Sequence, residues 1–101
     1  MAPQGNTPVI SAAQSRAARG WLNISQQELA DISLVNRRTI AEFERGASVP
    51  FERTLRDLQR ALEERGVRFV FEGQRAAGIL DRSVDLVTEL ARAGTPPKGS
   101  L

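Results

Sequence analysis

The chain has 101 residues, of which 41% are hydrophobic and 26% charged, so it is long enough for one small domain and an accessory element. It contains no cysteine and no histidine, which removes the common nucleophile–base pairs and the usual zinc ligands. The formal net charge is only +2, and Lys98 is the single lysine among the basic residues. We therefore expect no enzyme, no metal and no cofactor, and any nucleic-acid function depends on where the arginines lie.

Nothing in the sequence directs the chain to a membrane. No stretch approaches the roughly 20 apolar residues that a membrane span needs. The N-terminus shows no charged segment followed by an apolar leader, so we expect no signal peptide. We accordingly expect the protein to act in the cytoplasm.

The first element predicted along the chain is a helix. Residues 1–8 contain two prolines and a glycine, which indicates a disordered arm. Apolar residues then recur at helical spacing and predict a first helix over residues 11–19, stopped by Gly20. The expected apolar positions of this helix are Ile10, Ala13, Ala17 and Trp21.

Two short helices joined by a tight turn come next. Ser25 and Glu28 form a capping box that begins a second helix, which runs to about Ile32. Asn36 is a good N-cap for a third helix over residues 37–45. Ala30 is small where these helices must cross, and the pair has the pattern of a helix-turn-helix. We expect the third helix to turn three apolar residues inward: Val35, Ile40 and Phe43.

The rest of the chain predicts one more helix, a hairpin and a last helix. Leucine and alanine at spacings of three and four predict a fourth helix over residues 51–64. The apolar run at 67–71 predicts a strand, with a turn at 72–77 and a short returning strand at 78–80. Asp81 or Ser83 would cap a final helix to about Ala93, and residues 94–101 indicate a disordered tail.

Three segments carry a family resemblance that covers residues 14–71. They are WLNISQQELA at 21–30, VNRRTI at 35–40, and FERG at 43–46 with Pro50 four positions on. Together they resemble the Xre/lambda-repressor-like helix-turn-helix family of bacterial and phage regulators. The resemblance implies a mainly α fold, a bundle of four to five helices with a short C-terminal strand or hairpin and a final helix. It also implies sequence-specific binding of double-stranded DNA, with no enzymatic activity.

One position departs from the family pattern. The family usually has glycine in the turn between the second and third helices, where this chain has Leu34. Glycine is favoured there because it enters the left-handed backbone region freely. A leucine in that conformation costs on the order of 1 kcal/mol. We expect a reshaped turn and a partly exposed Leu34.

The resemblance also implies which residues contact DNA. Base contacts would come from the start and outer face of the third helix: Asn36, Arg37, Arg38 and Glu42. This agrees with chemistry, since arginine can donate two hydrogen bonds to guanine and asparagine can pair with adenine. The alternative for Glu42 is an ion pair with Arg38 four residues before it. The resemblance also implies that Gln26 contacts the phosphate backbone. Thr39 would contact a phosphate or a thymine methyl. The further phosphate candidates lie around the start of the fourth helix: Arg45, Ser48, Arg53 and Thr54.

The expected function is a homodimeric repressor on an inverted-repeat operator, located on the nucleoid when bound to DNA. Activation through contact with polymerase is the alternative mechanism. Residues 9–66 would form the DNA-binding domain, and residues 67–93 would hold the second subunit through the strand at 67–71 or the helix at 82–93. The alternative is an antitoxin-like or anti-activator protein whose segment 67–93 binds a protein partner. Glu44 is expected to be structural and to pair with an arginine.

Overall fold

Four helices followed by an antiparallel hairpin make up the part of the chain that the computed structural model describes, residues 7–84. The elements in chain order are α1 Ala12–Leu22, α2 Gln26–Ser33, α3 Arg37–Glu44, α4 Glu52–Glu64, β1 Val67–Glu72 and β2 Arg75–Asp81. The predicted mainly helical bundle with a C-terminal hairpin is confirmed. Across these described residues, every helix is too short or too polar to span a bilayer.

Helix α1 begins where the sequence predicts and ends later. Ser11 caps it reciprocally with Gln14, an additional capping box. The predicted stop at Gly20 is wrong, because the helix continues to Leu22. It ends where Asn23 takes the left-handed conformation at a φ of 58°. Asparagine adopts that conformation more readily than most residues do, so it can end a helix in place of glycine.

Of the four apolar positions predicted for the first helix, Ile10 is buried and the other three are exposed. Gln14, Ser15 and Ala18 are buried, whereas the expected Ala13 and Ala17 are exposed. Trp21 is also largely exposed, at 59% of its surface. Alanine gains little from burial. The two buried polar side chains instead make hydrogen bonds to distant parts of the chain, which offsets the loss of water.

The helix-turn-helix forms as the caps predict. Ser25 and Glu28 make the capping box of α2, and the Asn36 Oδ1 accepts a hydrogen bond of 2.7 Å from the backbone N–H of Arg38. Between the helices Leu34 stands in the left-handed region at a φ of 61° and is 91% exposed. The turn therefore has the backbone conformation that glycine would favour, and Leu34 tolerates it with its side chain in solvent.

Helix α4 supplies the centre of the core. Its predicted apolar residues Leu55, Leu58, Ala61 and Leu62 are all buried. The predicted inward residues of α3 are buried at Ile40 and Phe43, and Val35 packs partly buried against the same cluster. The core also includes Ile10, Ala18, Leu29, Ala30, Val67 and Phe69.

The hairpin is longer than the sequence predicts. β1 and β2 pair from Val67↔Asp81 to Glu72↔Arg75, so the connection has only two residues and the predicted turn over 72–77 is wrong. Gly73 stands first in this connection at a φ of 63°. Two-residue hairpin turns require a positive φ at that place. The small and polar residues that follow have a low propensity for strands. They pair with β1 because the turn places them opposite it.

The hairpin shares the hydrophobic core of the helices. Val67 and Phe69 belong to that core, with Ile79 packed against it. The Gln14 amide nitrogen donates to the carbonyl oxygens of Val70 at 3.0 Å and Gly78 at 2.9 Å. Those carbonyls flank the irregularity in the ladder between residues 70 and 71, and the Gln14 amide joins α1 to both strands there.

The last predicted helix lies almost wholly beyond the described part of the chain. At its expected start, the Asp81 Oδ1 accepts hydrogen bonds from the backbone and hydroxyl of Ser83, at 2.8 and 2.7 Å. Residues 85–93, the predicted tail at 94–101 and residues 1–6 of the predicted arm are outside the described residues. The division of roles between residues 9–66 and 67–93 stays a prediction.

Candidate nucleic-acid interface

Helix α3 presents an exposed polar face opposite its buried one. Ile40 and Phe43 are buried in the core, whereas Arg37 and Arg38 are exposed, and Glu42 is half-buried. The Arg38 side chain is 87% exposed, and its Nε lies 3.2 Å from a carboxylate oxygen of Glu42. The alternative that the sequence left open for Glu42, an ion pair with Arg38, is therefore present. An exposed pair of this kind adds little stability and can be opened by another partner at small cost.

The side-chain oxygen of Asn36 is already used to cap α3. Asn36 is exposed at the N-cap, where its side-chain oxygen accepts the backbone N–H of Arg38. Its amide nitrogen is the group that it offers to an acceptor on a base edge. Thr39, which the sequence assigns to phosphate, is half-buried in the first turn of α3.

A groove runs along the turn between α2 and α3. We call it the turn groove, and its lining residues are Gln27, Ala30, Asp31, Leu34, Val35, Asn36, Arg37 and Arg38. Three of the four predicted base-contacting residues border it. The structure therefore places the N-terminal end of α3 beside an open surface and not against another part of the described chain.

A second concave surface lies on the other side of α2. We call it the basic notch, and its lining residues are Arg16, Arg19, Gln26, Ala41, Glu44 and Arg45. It brings together the predicted phosphate-contacting residues Gln26 and Arg45 from two different helix ends. The sequence prediction missed Arg16 and Arg19. The only signal that could have found them is their spacing of three in α1, which puts both on one helix face.

The floor of the notch is the buried carboxylate of Glu44. Arg19 donates to both of its oxygens, the shortest contact being 2.6 Å from Nη2 to Oε1. Ser15 donates from its hydroxyl at 2.6 Å, and Gln26 donates from its amide nitrogen at 3.1 Å. Arg16 donates to the backbone carbonyl of the same glutamate. The predicted pairing of Glu44 with an arginine is confirmed, and the network joins α1, α2 and α3.

The network decides the charge state of Glu44. Burial on its own raises the pKa of this carboxyl, because a charge is less stable away from water. The hydrogen bonds from Arg19, Ser15 and Gln26, together with the charge of Arg19, outweigh burial and lower the pKa below its ordinary value. Glu44 is therefore ionised at neutral pH. Its carboxylate accepts one N–H of the Gln26 side-chain amide. The second N–H of that amide can donate to another acceptor.

The remaining predicted phosphate contacts surround the start of α4. Ser48 is exposed in the loop after α3, Arg53 is exposed in the first turn of α4, and Thr54 next to it is half-buried. Phe51, at the N-cap of α4, makes no side-chain cap hydrogen bond. The first backbone N–H groups of α4 therefore lack a side-chain cap.

The described residues show no arrangement for metal chemistry. Over residues 7–84, no group of three or more acidic side chains is placed to hold a metal ion.

Comparison with known proteins identifies the family. A family model described as helix-turn-helix matches residues 16–67, about half of the chain. No curated protein matches the chain. The match covers α1 from residue 16 onward and all of α2, α3 and α4, including the turn at Leu34 and the arginines of α3. The chain therefore belongs to the Xre/lambda-repressor-like helix-turn-helix family of DNA-binding regulators.

Proposed function

We propose that this protein is a homodimeric transcriptional repressor that reads an inverted-repeat operator with α3 in the major groove. The observation that carries the proposal is the division of α3 into two faces. Its inner face is fixed in the core by Ile40 and Phe43, so the helix cannot rotate. Its outer face offers exposed guanidinium groups at its N-terminal end, where a recognition helix contacts base edges.

Base recognition would depend on Arg37, Arg38 and Asn36, with Glu42 in a supporting role. A guanidinium group can donate to O6 and N7 of guanine together, which a single phosphate contact does not require. Glu42 holds Arg38 in the free protein and releases it, or shares it, when a guanine becomes available. A carboxylate can also accept from the exocyclic amine of cytosine, so Glu42 can itself contribute to readout.

Phosphate contacts would hold the helix in register on either side of the groove. The basic notch offers the free N–H of Gln26 and the guanidinium groups of Arg16 and Arg45. The loop after α3 and the first turn of α4 offer Ser48 and Arg53, next to N–H groups that no side chain caps. Thr39 and Thr54 supply hydroxyl groups for the same purpose. Contacts of this kind fix orientation without reading sequence.

Dimerisation would place two copies of α3 about one helical turn of DNA apart. The segment 67–93 is the proposed dimer element. A sheet of two strands leaves an outer edge on each strand, and an unpaired edge can accept a strand from a second copy. Occupying the operator as a dimer would exclude polymerase, and this is the proposed mechanism of repression in the cytoplasm.

Replacing Arg38 tests base readout directly. We expect Arg38→Ala to weaken binding to the preferred sequence by about 1–3 kcal/mol and to relax the preference at one base pair per half-site. The measurement is an affinity titration against a set of duplexes with each base pair substituted in turn. Arg65→Ala is the control, because Arg65 is also exposed but lies at the C-terminal end of α4, outside the assigned DNA contacts and outside the proposed dimer element.

The pattern of loss distinguishes the two possible roles of Arg38. Equal weakening on every duplex, with base preferences unchanged, would show that Arg38 contacts only phosphate. If Arg65→Ala lowers affinity for the preferred sequence as much as Arg38→Ala does, then α3 is not the reading element.

A further inference from the structure

Leu34 is an apolar side chain held in solvent by a backbone conformation that disfavours it. Its φ of 61° is in the left-handed region, where a residue with a Cβ is strained. It is 91% exposed, so the strain is not offset by burial of the side chain in the described fold. Glycine at this position would avoid both the backbone strain and the exposure of an apolar side chain. The leucine therefore gains little within the described part of the chain, residues 7–84.

The turn that carries Leu34 is firmly held. The backbone N–H of Leu34 donates to the carbonyl of Ala30 at 2.9 Å. The Ser33 hydroxyl donates to the carbonyl of Leu29 at 2.6 Å and accepts from the N–H of Val35 at 3.2 Å. These bonds fix the turn on both sides of Leu34. The side chain is thus presented from a rigid base, which lowers the entropy lost when it meets a ligand.

Leu34 lies beside the residues assigned to base recognition. It borders the turn groove together with Asn36, Arg37 and Arg38. The other exposed large apolar side chains of the described residues, Trp21, Val49 and Phe51, do not border this groove. A ligand that contacts the N-terminal end of α3 can therefore also contact the side chain of Leu34.

We propose that Leu34 is a specificity-determining residue that contacts the C5-methyl group of a thymine in the major groove. The proposal rests on the proposed function, since it requires α3 to dock in that groove. The thymine methyl is the apolar group that base pairs present in the major groove. A branched aliphatic side chain matches it, whereas the glycine usual in the family would leave the methyl in water.

The surroundings of Leu34 favour DNA over a second protein as the partner. A stable protein interface buries roughly 1,200–2,000 Å² around an apolar centre. In the turn groove Leu34 is instead flanked by amide, carboxylate and guanidinium groups from Gln27, Asp31, Arg37 and Arg38. Ala30 and Val35 also line this groove, but they are buried and half-buried, so Leu34 is its one exposed apolar side chain. One exposed apolar side chain among polar groups suits the edge of a base pair, where one methyl stands among hydrogen-bonding atoms.

Thymidine-to-deoxyuridine substitution tests the contact, because it removes only the methyl group. The probe is the preferred duplex selected with the full-length protein, with each thymine replaced in turn by uracil. We expect each half-site to contain one thymine whose replacement weakens wild-type binding about three- to fivefold, as for the loss of one buried methyl group. Leu34→Gly removes the contact from both subunits of the dimer, so we expect it to bind the unmodified duplex about ten- to twenty-fivefold more weakly. It should also be indifferent to the uracil replacement.

A conservative variant and a stability measurement complete the test. Leu34→Met keeps an apolar side chain and should retain the sensitivity to the uracil replacement. Leu34→Gly should unfold at a temperature no lower than wild type, because it relieves strain and removes no packing. A lower unfolding temperature would show that Leu34 packs within the fold, which would overturn the premise.

The outcomes separate this inference from the proposed function. If wild type binds one sequence selectively but every uracil replacement affects wild type and Leu34→Gly equally, the methyl contact is wrong and the proposed function stands. If wild type selects no sequence from the pool, both the proposed function and this inference fail.

Discussion

At the scale of single residues, Glu44 connects the fold to the proposed DNA surface. The sequence predicts that Glu44 pairs with an arginine, but it does not reveal which of the chain's many arginines is the partner. Arg19 lies 25 residues earlier and meets Glu44 only because α1 and α3 pack together. The same carboxylate holds Gln26, whose role in phosphate binding the sequence proposes. A structural residue thereby orients a side chain that is proposed to contact phosphate.

Glu44→Gln tests this network through the pH dependence of stability. Removing the charge leaves Arg19 without its carboxylate partner, so we expect the free energy of unfolding at pH 7 to fall by about 1–3 kcal/mol. The lowered pKa of Glu44 stabilises the folded wild type above the ordinary value of about 4.5, and this stabilisation is lost as the pH falls through the folded-state pKa. The Glu44→Gln variant should lack this pH-dependent part of the free energy of unfolding.

The measurement is urea unfolding of both proteins at pH 7 and in steps below pH 4.5. Glu64→Gln, which alters an exposed carboxylate of α4, is the control and should behave like wild type at pH 7. The two curves of stability against pH should converge in acid. Parallel curves for Glu44→Gln and wild type would contradict the assigned role of the carboxylate.

At the scale of elements, local signals in the sequence predict helix starts better than helix faces. The caps at Ser25 and Asn36 are recognisable because the cap and its partner lie within three residues of each other. The inward face of α1 is not recognisable, because Gln14 and Ser15 are buried by bonds to partners 29 or more residues away. Propensity and periodicity contain no information about such distant partners.

The hairpin shows the same limit. The sequence predicts β1 because its apolar and β-branched residues are typical of a strand. It predicts only the last part of β2, because the residues after the turn are polar or small. Their pairing is imposed by Gly73 and by the register of the opposite strand. The position of Gln14 between the strands also depends on contacts with residues far along the chain, and no local sequence pattern predicts it.

Gln14→Ala tests how the hairpin is held to the helices. The substitution leaves the carbonyls of Val70 and Gly78 without the amide that bridges them, so we expect a loss of stability of about 1–3 kcal/mol. Gln14→Ala also removes the bond from the Ser11 N–H in the capping box of α1. Glu28→Ala is the matched control, since it removes the equivalent bond in the capping box of α2, where Glu28 is exposed. Thermal unfolding compares the two variants. An equal small effect of both would show that Gln14 does not hold the hairpin.

At the scale of the whole molecule, the sequence predicts the fold and the kind of surface but not the geometry of the interface. The motif at residues 21–50 is specific enough to identify the helix-turn-helix. The basic notch was not predictable as a unit, because it joins side chains of α1, α2 and α3 that approach only after folding. Which bases meet Arg37, Arg38 and Leu34 depends on a DNA sequence that the protein chain does not encode.

The low net charge of the whole molecule has a consequence for binding. With a formal charge of +2, the protein has little general attraction for the DNA backbone. Affinity must therefore come from arginines placed along one surface. Specific binding should exceed non-specific binding by a wide margin at physiological salt, since the non-specific electrostatic contribution is small.

Sequence-specific recognition of double-stranded DNA is tested most directly by selecting preferred duplexes from a random pool. Fluorescence anisotropy at near-physiological salt then compares the affinity for a selected duplex with that for a scrambled one of the same composition. We predict an inverted repeat with half-sites about 10 base pairs apart, bound at least about a thousandfold more tightly than the scrambled duplex. Equal, weak and salt-sensitive binding to both duplexes would contradict the account.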